Sequence, residues 1–221
     1  MRLSVVIPVL NEAARLPGLL AGLRAEAAQV IVVDGGSIDG SASLARAAGV
    51  TVLESSPGRA RQMNAGARVA GGEVLLFLHA DTVLPAGAAR LVRAALADGR
   101  HMWGRFDVVI DGKPAMLRVI AALMNLRSRL TGIATGDQAM FVTRAAFEAA
   151  GGFPEQPLME DIELSSRLLR QSRPACLRPP VRTSGRRWES RGVWRTIALM
   201  WRLRWDYWRG VPAAELAERY R

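Results

Sequence analysis

Residues 30–41 read Val-Ile-Val-Val-Asp-Gly-Gly-Ser-Ile-Asp-Gly-Ser. An apolar run ends in Asp34, a glycine-bearing turn follows, and Asp39 opens a helical pattern. The pattern predicts a buried strand that delivers Asp34 to the carboxyl edge of a parallel sheet, where open α/β sheets bind ligands. The glycines let the backbone come close to a ligand, and the next helix offers free N–H groups to a phosphate. The same construction recurs at 3–12, where a strand ends in Asn11 and Glu12, and at 73–82, where one ends in His79 and Asp81. Three strand ends bearing acids point to a nucleotide and a divalent cation.

In an extended segment residues i and i+2 face the same way, so His79 and Asp81 are expected to face one ligand. A carboxylate is a hard oxygen donor suited to Mg²⁺ or Mn²⁺, which are held by few protein groups together with nucleotide phosphates; imidazole tolerates Mn²⁺ better than Mg²⁺. The plainer alternative is that Asp81 caps a turn and His79 is a buried polar group. Glu160 and Asp161 stand together at a predicted helix start. Acids there complement the helix dipole; either can instead act as a general base reached across the cleft from the metal. The segment Gly58-Arg59-Ala60-Arg61-Gln62-Met63-Asn64-Ala65-Gly66 opens another helix. Its arginines either grip a diphosphate or form a solvated basic turn.

The elements that must position these groups alternate. Apolar runs at 3–9, 29–34, 50–54 and 73–79 are each followed by helical periodicity, as with Leu16, Leu19, Leu20 and Leu23. Such alternation implies a mainly parallel sheet flanked by helices. Beyond residue 100 the rhythm changes: a strand at 103–110, a helix over 115–130, a glycine-bearing loop to Gly136, a strand at 138–143, and helices near 144–150 and 160–170. We expect a single α/β domain over residues 1–221. Its nucleotide half spans about 1–100, its acceptor half about 101–190, and its basic aromatic tail about 191–221. The 221 residues are half hydrophobic and 23% charged, which excludes a disordered chain. No apolar run reaches the ~20 residues of a spanning helix. The single cysteine excludes an internal disulfide framework and fits a reducing compartment, so a cytoplasmic location is expected.

The order Val-Ile-Pro-Val-Leu-Asn-Glu (6–12), Val-Asp-Gly-Gly-Ser-Ile-Asp-Gly (33–40), Gln-Met-Asn-Ala-Gly (62–66), His-Ala-Asp (79–81) and Glu-Asp (160–161) resembles a family 2 glycosyltransferase with the Rossmann-like GT-A fold. The resemblance implies inverting transfer of a sugar from a nucleotide diphosphate sugar, with a UDP-sugar expected, aided by a divalent cation. By the same resemblance Pro8, Asn11, Glu12, Asp34, Gly58, Arg61, Asn64, Ala80 and Asp81 line the donor site. Asp81, with His79, holds the metal, and Asp161, beside Glu160, is the base. The metal motif of the family usually reads Asp-x-Asp, and here the first acid is His79. The further pattern Gly-Asp-Gln (136–138), Gly-Gly-Phe-Pro (151–154) and Arg-Arg-Trp (186–188) is similar to a compact bacterial subgroup linked to arsenosugar biosynthesis. It implies that Gly136, Asp137, Gln138, Arg187 and Trp188 lie near the acceptor, either a small molecule or a lipid-linked one.

The net charge of +10 is concentrated at the end of the chain, where residues 182–221 hold ten Arg against four acids. Trp194, Ala198, Trp201, Trp205 and Trp208 share one helical face, with Arg195, Arg202 and Arg209 beside it. This is the composition of an interfacial helix. It predicts either peripheral contact with an anionic membrane at its inner face or an aromatic face docked on the body of the protein, and docking is the favoured expectation. Among rival functions, a nucleotidyltransferase would carry a basic glycine-rich loop after the first strand, where Val-Leu-Asn-Glu stands. A dinucleotide oxidoreductase would carry Gly-x-Gly-x-x-Gly there. No nucleic-acid recognition motif accompanies the basic tail, so no nucleic-acid partner is expected.

Overall fold

In a computed structural model, residues 1–24 and 26–220 are described, and Arg221, the last residue of the expected tail, lies outside them. In chain order the first half builds β1 (Leu3–Val9), α1 (Leu16–Leu23), β2 (Gln29–Asp34), α2 (Ser41–Ala47), β3 (Thr51–Glu54), α3 (Arg59–Val69), β4 (Val74–Phe77), β5 (Thr82–Val83) and α4 (Ala88–Leu96). The second half builds β6 (Trp103–Asp111), α5 (Met116–Thr131), a 3₁₀ turn at Gly136–Gln138, β7 (Phe141–Thr143), α6 (Arg144–Ala149), α7 (Glu160–Leu169) and β8 (Ala175–Ser184). Three helices close the chain: α8 (Arg186–Arg191), α9 (Val193–Trp208) and α10 (Ala213–Tyr220).

The strands form one sheet in the order β3-β2-β1-β4-β7-β6-β8-β5. The first four are parallel, with Pro8 opposite Val33 and Val9 opposite Asp34, so the ends of β1 and β2 finish level. β7 then runs antiparallel between β4 and β6. The sheet is therefore mixed, and it joins strands from both halves of the chain. Central strands buried on both faces read as continuous apolar runs, and every residue of β1 is buried. One face packs on α1 and α4 through Leu16, Leu20, Val92 and Leu96. The other packs on α3, α6 and α7 through Met63, Phe147, Leu164 and Leu168. Gly66 lets α3 lie against β1: a Cβ there would come within 2.3 Å of Val6 Cγ1.

Three expectations change. β4 ends at Phe77, so His79 and Asp81 sit in a turn closed by Thr82 N–H donating to the His79 carbonyl, not on an extended strand. The ten-residue strand β8 carries Pro179 and Pro180, which mask it in the sequence; its register on β6 shifts between Phe106 and Asp107, next to where they fall. The tail is not one helix, because Gly192 and Gly210, both at positive φ, divide it into three. Among the described residues no helix is long and apolar enough to cross a membrane.

Candidate active site

Asp34 ends β2 almost fully buried. Its Oδ2 accepts hydrogen bonds from the N–H groups of Gly36 (3.0 Å) and Ser37 (2.9 Å). Its Oδ1 is buried with no partner. A buried carboxylate oxygen without a donor is costly, so this atom is poised for a ligand N–H or O–H. Asp34 lines a pocket of about 580 Å³ together with Gly36, Ser37, Ser43 and Ser55. The walls are tied from behind. Gln62 donates to the carbonyls of Val9 (2.9 Å) and Val33 (2.8 Å). Asn11 accepts from Ile38 N–H at 2.9 Å. Glu12 pairs with Arg15 at 2.8 Å and with Arg186 at 3.6 Å, and Pro8 is buried in β1. Asn11 and Glu12 thus brace the pocket rim through other protein groups.

The turn after β4 meets the 3₁₀ turn. His79 Nδ1 lies 3.5 Å from Asp137 Oδ1. The Cε1–Nε2 edge of its ring rests on Gly136, where a Cβ would come within 2.4 Å of Cε1. Burial opposes a charged imidazole, but the hydrogen bond and charge of Asp137, helped by Asp81, hold the His79 pKa above its ordinary value. Burial likewise opposes charge on Asp137, yet His79, Arg59 and Arg204 hold it below the usual carboxylate value. On the far side of the same turn, Gly136 N–H donates to Asp161 Oδ2 at 2.8 Å, and Ile162 N–H donates to Asp161 Oδ1 at 2.8 Å. Asp161 is thereby fixed at the start of α7 with the orientation of its carboxylate set by two backbone donors.

Glu160 lies beside it, buried, with Oε1 3.1 Å from Arg59 Nε and Oε2 without a partner. Burial raises the Glu160 pKa, against the opposing charge of Arg59. Arg59 is lowered by burial, but Glu160 and then Tyr220, Asp161 and Asp137 overcome that and raise it. The backbone is strained at the same places. Among the described residues, the non-glycine residues at positive φ are Asn11 (56°), Ala139 (46°) and Met159 (65°). They follow β1, follow the 3₁₀ turn and precede Glu160. Such strain persists where surrounding structure over-determines it, and it concentrates at functional sites.

The turn of His79, Ala80 and Asp81, the turn of Gly136 and Asp137, and the helix start at Glu160 and Asp161 thus meet at one candidate site, with Asp34 in the pocket beyond β2. Other expected residues are engaged elsewhere. Arg61 is exposed and pairs with Glu155 at 3.3 Å, although Gly58, at φ 139°, does open α3. The Asn64 amide bonds both N–H and carbonyl of Phe153, at 3.0 and 2.8 Å. Gln138 is fully buried, with Oε1 accepting from Thr135 N–H at 3.2 Å and closing a capping box. Arg187 stacks on the Tyr220 ring at 3.5 Å, and Trp188 packs on the core. Arg127 and Arg204 were not singled out from the sequence, and of the two arginines in the Gly58–Gly66 motif only Arg61 was assigned to the donor site. Arg59 stands in the very motif that singled out Arg61, but residues two apart on a helix face about 200° apart, and the pattern did not tell which one reaches Glu160.

No three of His, Cys, Asp or Glu among the described residues gather where they could hold a metal ion. Asp81 contributes a hard oxygen, whereas His79 is turned to Asp137 and Gly136. A cation here would take most of its ligands from phosphate oxygens and water, as Mg²⁺ and Mn²⁺ commonly do. The donor set fits such an ion on those terms.

Comparison with known proteins gives the family and the fold. Residues 4–148 match the sequence model described as "Glycosyl transferase family 2". Over 108 residues the chain is 38% identical to an undecaprenyl-phosphate 4-deoxy-4-formamido-L-arabinose transferase of Aeromonas hydrophila, covering 42% of this chain and 33% of that protein. The fold matches a mannosyltransferase of Pyrobaculum calidifontis, solved with GDP-Man and Mn²⁺ (TM-score 0.67, 21% identity, 99% of this chain and 68% of that one). It matches S. aureus TarS 1–349 in complex with UDP (TM-score 0.64, 18% identity, 83% and 60%). It also matches glucosyl-3-phosphoglycerate synthase of Mycobacterium tuberculosis, solved with Mn²⁺ and UDP (TM-score 0.59, 18% identity, 81% and 70%). The match to the curated relative spans a third of that protein's length.

Proposed function

Because the chain belongs to glycosyl transferase family 2, we propose that it moves a sugar from a nucleotide diphosphate sugar to a hydroxyl acceptor with inversion at the anomeric carbon. The observation that carries this reading is the 3₁₀ turn, where Gly136 touches His79 of the donor-side turn and donates to Asp161 of α7. Donor-binding and proton-accepting groups are thereby brought together around one loop. Asp34, with its unpartnered Oδ1, receives the nucleoside in the pocket beyond β2. The acceptor O–H gives its proton to the Asp161 carboxylate as the acceptor oxygen bonds to the anomeric carbon. The bond from that carbon to the phosphate oxygen breaks, and the nucleoside diphosphate leaves with the electron pair. A Mn²⁺ or Mg²⁺ ion bound at Asp81 would neutralise charge on the departing diphosphate. Asp137 and Gly136 border the acceptor side.

Product analysis by mass spectrometry with a panel of UDP- and GDP-sugars, in Mn²⁺ and in EDTA, tests the reading. Cation-dependent loss of the sugar from one donor is expected. Absence of donor binding to both nucleotides, with and without the cation, would refute it.

The tail supports a membrane contact in preference to a docked aromatic face. Trp194, Trp201, Trp205 and Trp208 are 71%, 72%, 58% and 77% exposed. The opposite side of α9 packs inward through Leu203, Leu199 and Met200. On α5, Val119, Leu123, Leu126 and Leu130 form a second exposed apolar stripe. Exposed tryptophans flanked by Arg195, Arg202 and Arg209 suit the headgroup region of an anionic bilayer. A cytoplasmic protein attached peripherally at the inner face fits this reading.

A further inference from the structure

Two guanidinium groups beside the catalytic carboxylate have no function in the steps above. Arg127 stands on α5 with Nε and Nη2 buried and without hydrogen-bond partners. Arg204 stands on the inward part of α9, half-buried, and forms no ion pair among the described residues. The two lie close enough for each charge to act on its surroundings: Arg204 on Arg127, and Asp161 on both. Burial, then Arg204, lowers the Arg127 pKa to about 10, and burial lowers that of Arg204 against the pull of Asp161 and Asp137. The nearby acids have other engagements. Asp161 is held by two backbone N–H groups and Asp137 by His79. The fold therefore leaves the buried Nε and Nη2 of Arg127 open, with the half-buried Arg204 as a like charge in the neighbourhood. Holding an unpaired guanidinium out of water is unfavourable unless something of opposite charge arrives. Planar guanidinium groups match the oxygens of a phosphate or carboxylate. Neither arginine lines the Asp34 pocket.

We propose that Arg127 and Arg204 form an anion subsite for the acceptor, so that the acceptor carries a phosphate or carboxylate group beside the hydroxyl that reacts. This rests on the glycosyl-transfer reading for the word acceptor, but the subsite stands on its own geometry. The same chemistry is offered by a soluble phosphomonoester and by a lipid headgroup, and the exposed stripes of α5 and α9 lie on the helices that carry the two arginines.

The test is calorimetric titration of the full chain with inorganic phosphate in saturating UDP and Mg²⁺, which keeps the donor site filled. Wild type should bind phosphate. Arg127→Gln and Arg204→Gln should each weaken it about tenfold, as expected for loss of a charge-assisted hydrogen bond. Arg127→Lys should lose less, and the exposed Arg93→Gln should match wild type. Unchanged UDP affinity in each variant shows that the fold is intact. Phosphate binding equal in wild type and both Gln variants, or none in wild type, would overturn the proposal. Glycerol 3-phosphate displacing phosphate identifies a soluble acceptor, and displacement only by phosphatidic-acid vesicles identifies a headgroup. Displacement by neither overturns the subsite. If phosphate binds as stated and no nucleotide sugar does, the transfer reading fails and the subsite survives; the reverse outcome separates them the other way.

Discussion

Asp34 and Asp161 are both carboxylates at the ends of regular elements, and their surroundings differ. Asp34 has one oxygen satisfied by two backbone donors and the other buried and open to a ligand. Asp161 has both oxygens held by single backbone N–H groups, which orient it. Asp161→Asn should therefore keep nucleotide affinity and lower the transfer rate by roughly 10²–10⁴, the usual cost of removing a general base. Asp34→Ala should lose nucleotide binding. Titration with UDP or GDP beside a transfer assay checks both, and swapped phenotypes would reverse the assignment. Glu160 gives a pH signature. Its pKa is raised above the ordinary 4.5 by burial, so the folded protein holds this proton more tightly than the unfolded chain does. The resulting stability is complete below about pH 4.5 and is lost as pH rises through the folded value. Glu160→Gln cannot titrate, so its melting temperature relative to wild type should climb between pH 4 and pH 8. A difference that stays flat across that range would show that Arg59 fully compensates the buried charge.

At the scale of elements, the 3₁₀ turn and α9 decide most. Gly136 is pressed on one side by the His79 ring and donates on the other to Asp161, so it has no room for a side chain. Gly136→Ala should push the two turns apart, and transfer should fall while nucleotide binding at the Asp34 pocket, which these turns do not line, persists. On α9 the inward residue is Leu203, 1% exposed, whereas Trp201 is 72% exposed. Leu203→Ala should cost about 2–5 kcal/mol of stability. Trp201→Ala should stay within about 0.5 kcal/mol of wild type. Melting curves of the two variants check this ordering, and a large loss for Trp201→Ala would restore the docked aromatic face.

For the whole molecule, charge and exposed aromatic surface coincide. The +10 net charge has its excess in the last forty residues, and Trp201, Trp205 and Trp208 share an exposed face there. Three arginines near an anionic surface contribute roughly 1 kcal/mol each, about 3 kcal/mol together or a factor on the order of 10² in partitioning. Salt should weaken it. Co-sedimentation should show binding to anionic but not neutral liposomes, reduced by the double change Trp201→Ala and Trp205→Ala. Equal binding to both kinds of vesicle, or none to either, would remove the electrostatic part of the membrane reading.

The place of Asp34 at a sheet edge was legible from the chain alone, because a strand that is apolar along its length and ends in an acid reports its own burial and its own edge; the helix start at Glu160 and Asp161 was legible as well, because acids favour a helix N-terminus. The parallel pairing of β1, β2, β3 and β4 followed from alternation of strand and helix for the same local reason. The amides of Asn64 and Gln138 look like ligand groups in a sequence, yet each closes a bond to a neighbouring loop, and only the folded chain brings those loops near. The strand β8 was hidden because Pro179 and Pro180 suppress the local signal, while pairing with β6 comes from residues some seventy positions away. Likewise the pairing of Glu160 with Arg59 while Arg61 pairs with Glu155, and the outward turn of the tryptophans, depend on helix phase and packing. Local sequence determined which residues end each strand, because burial and backbone preference act over a few residues. Tertiary structure decided which of the polar groups remain open to a ligand, because that depends on contacts between segments far apart in the chain.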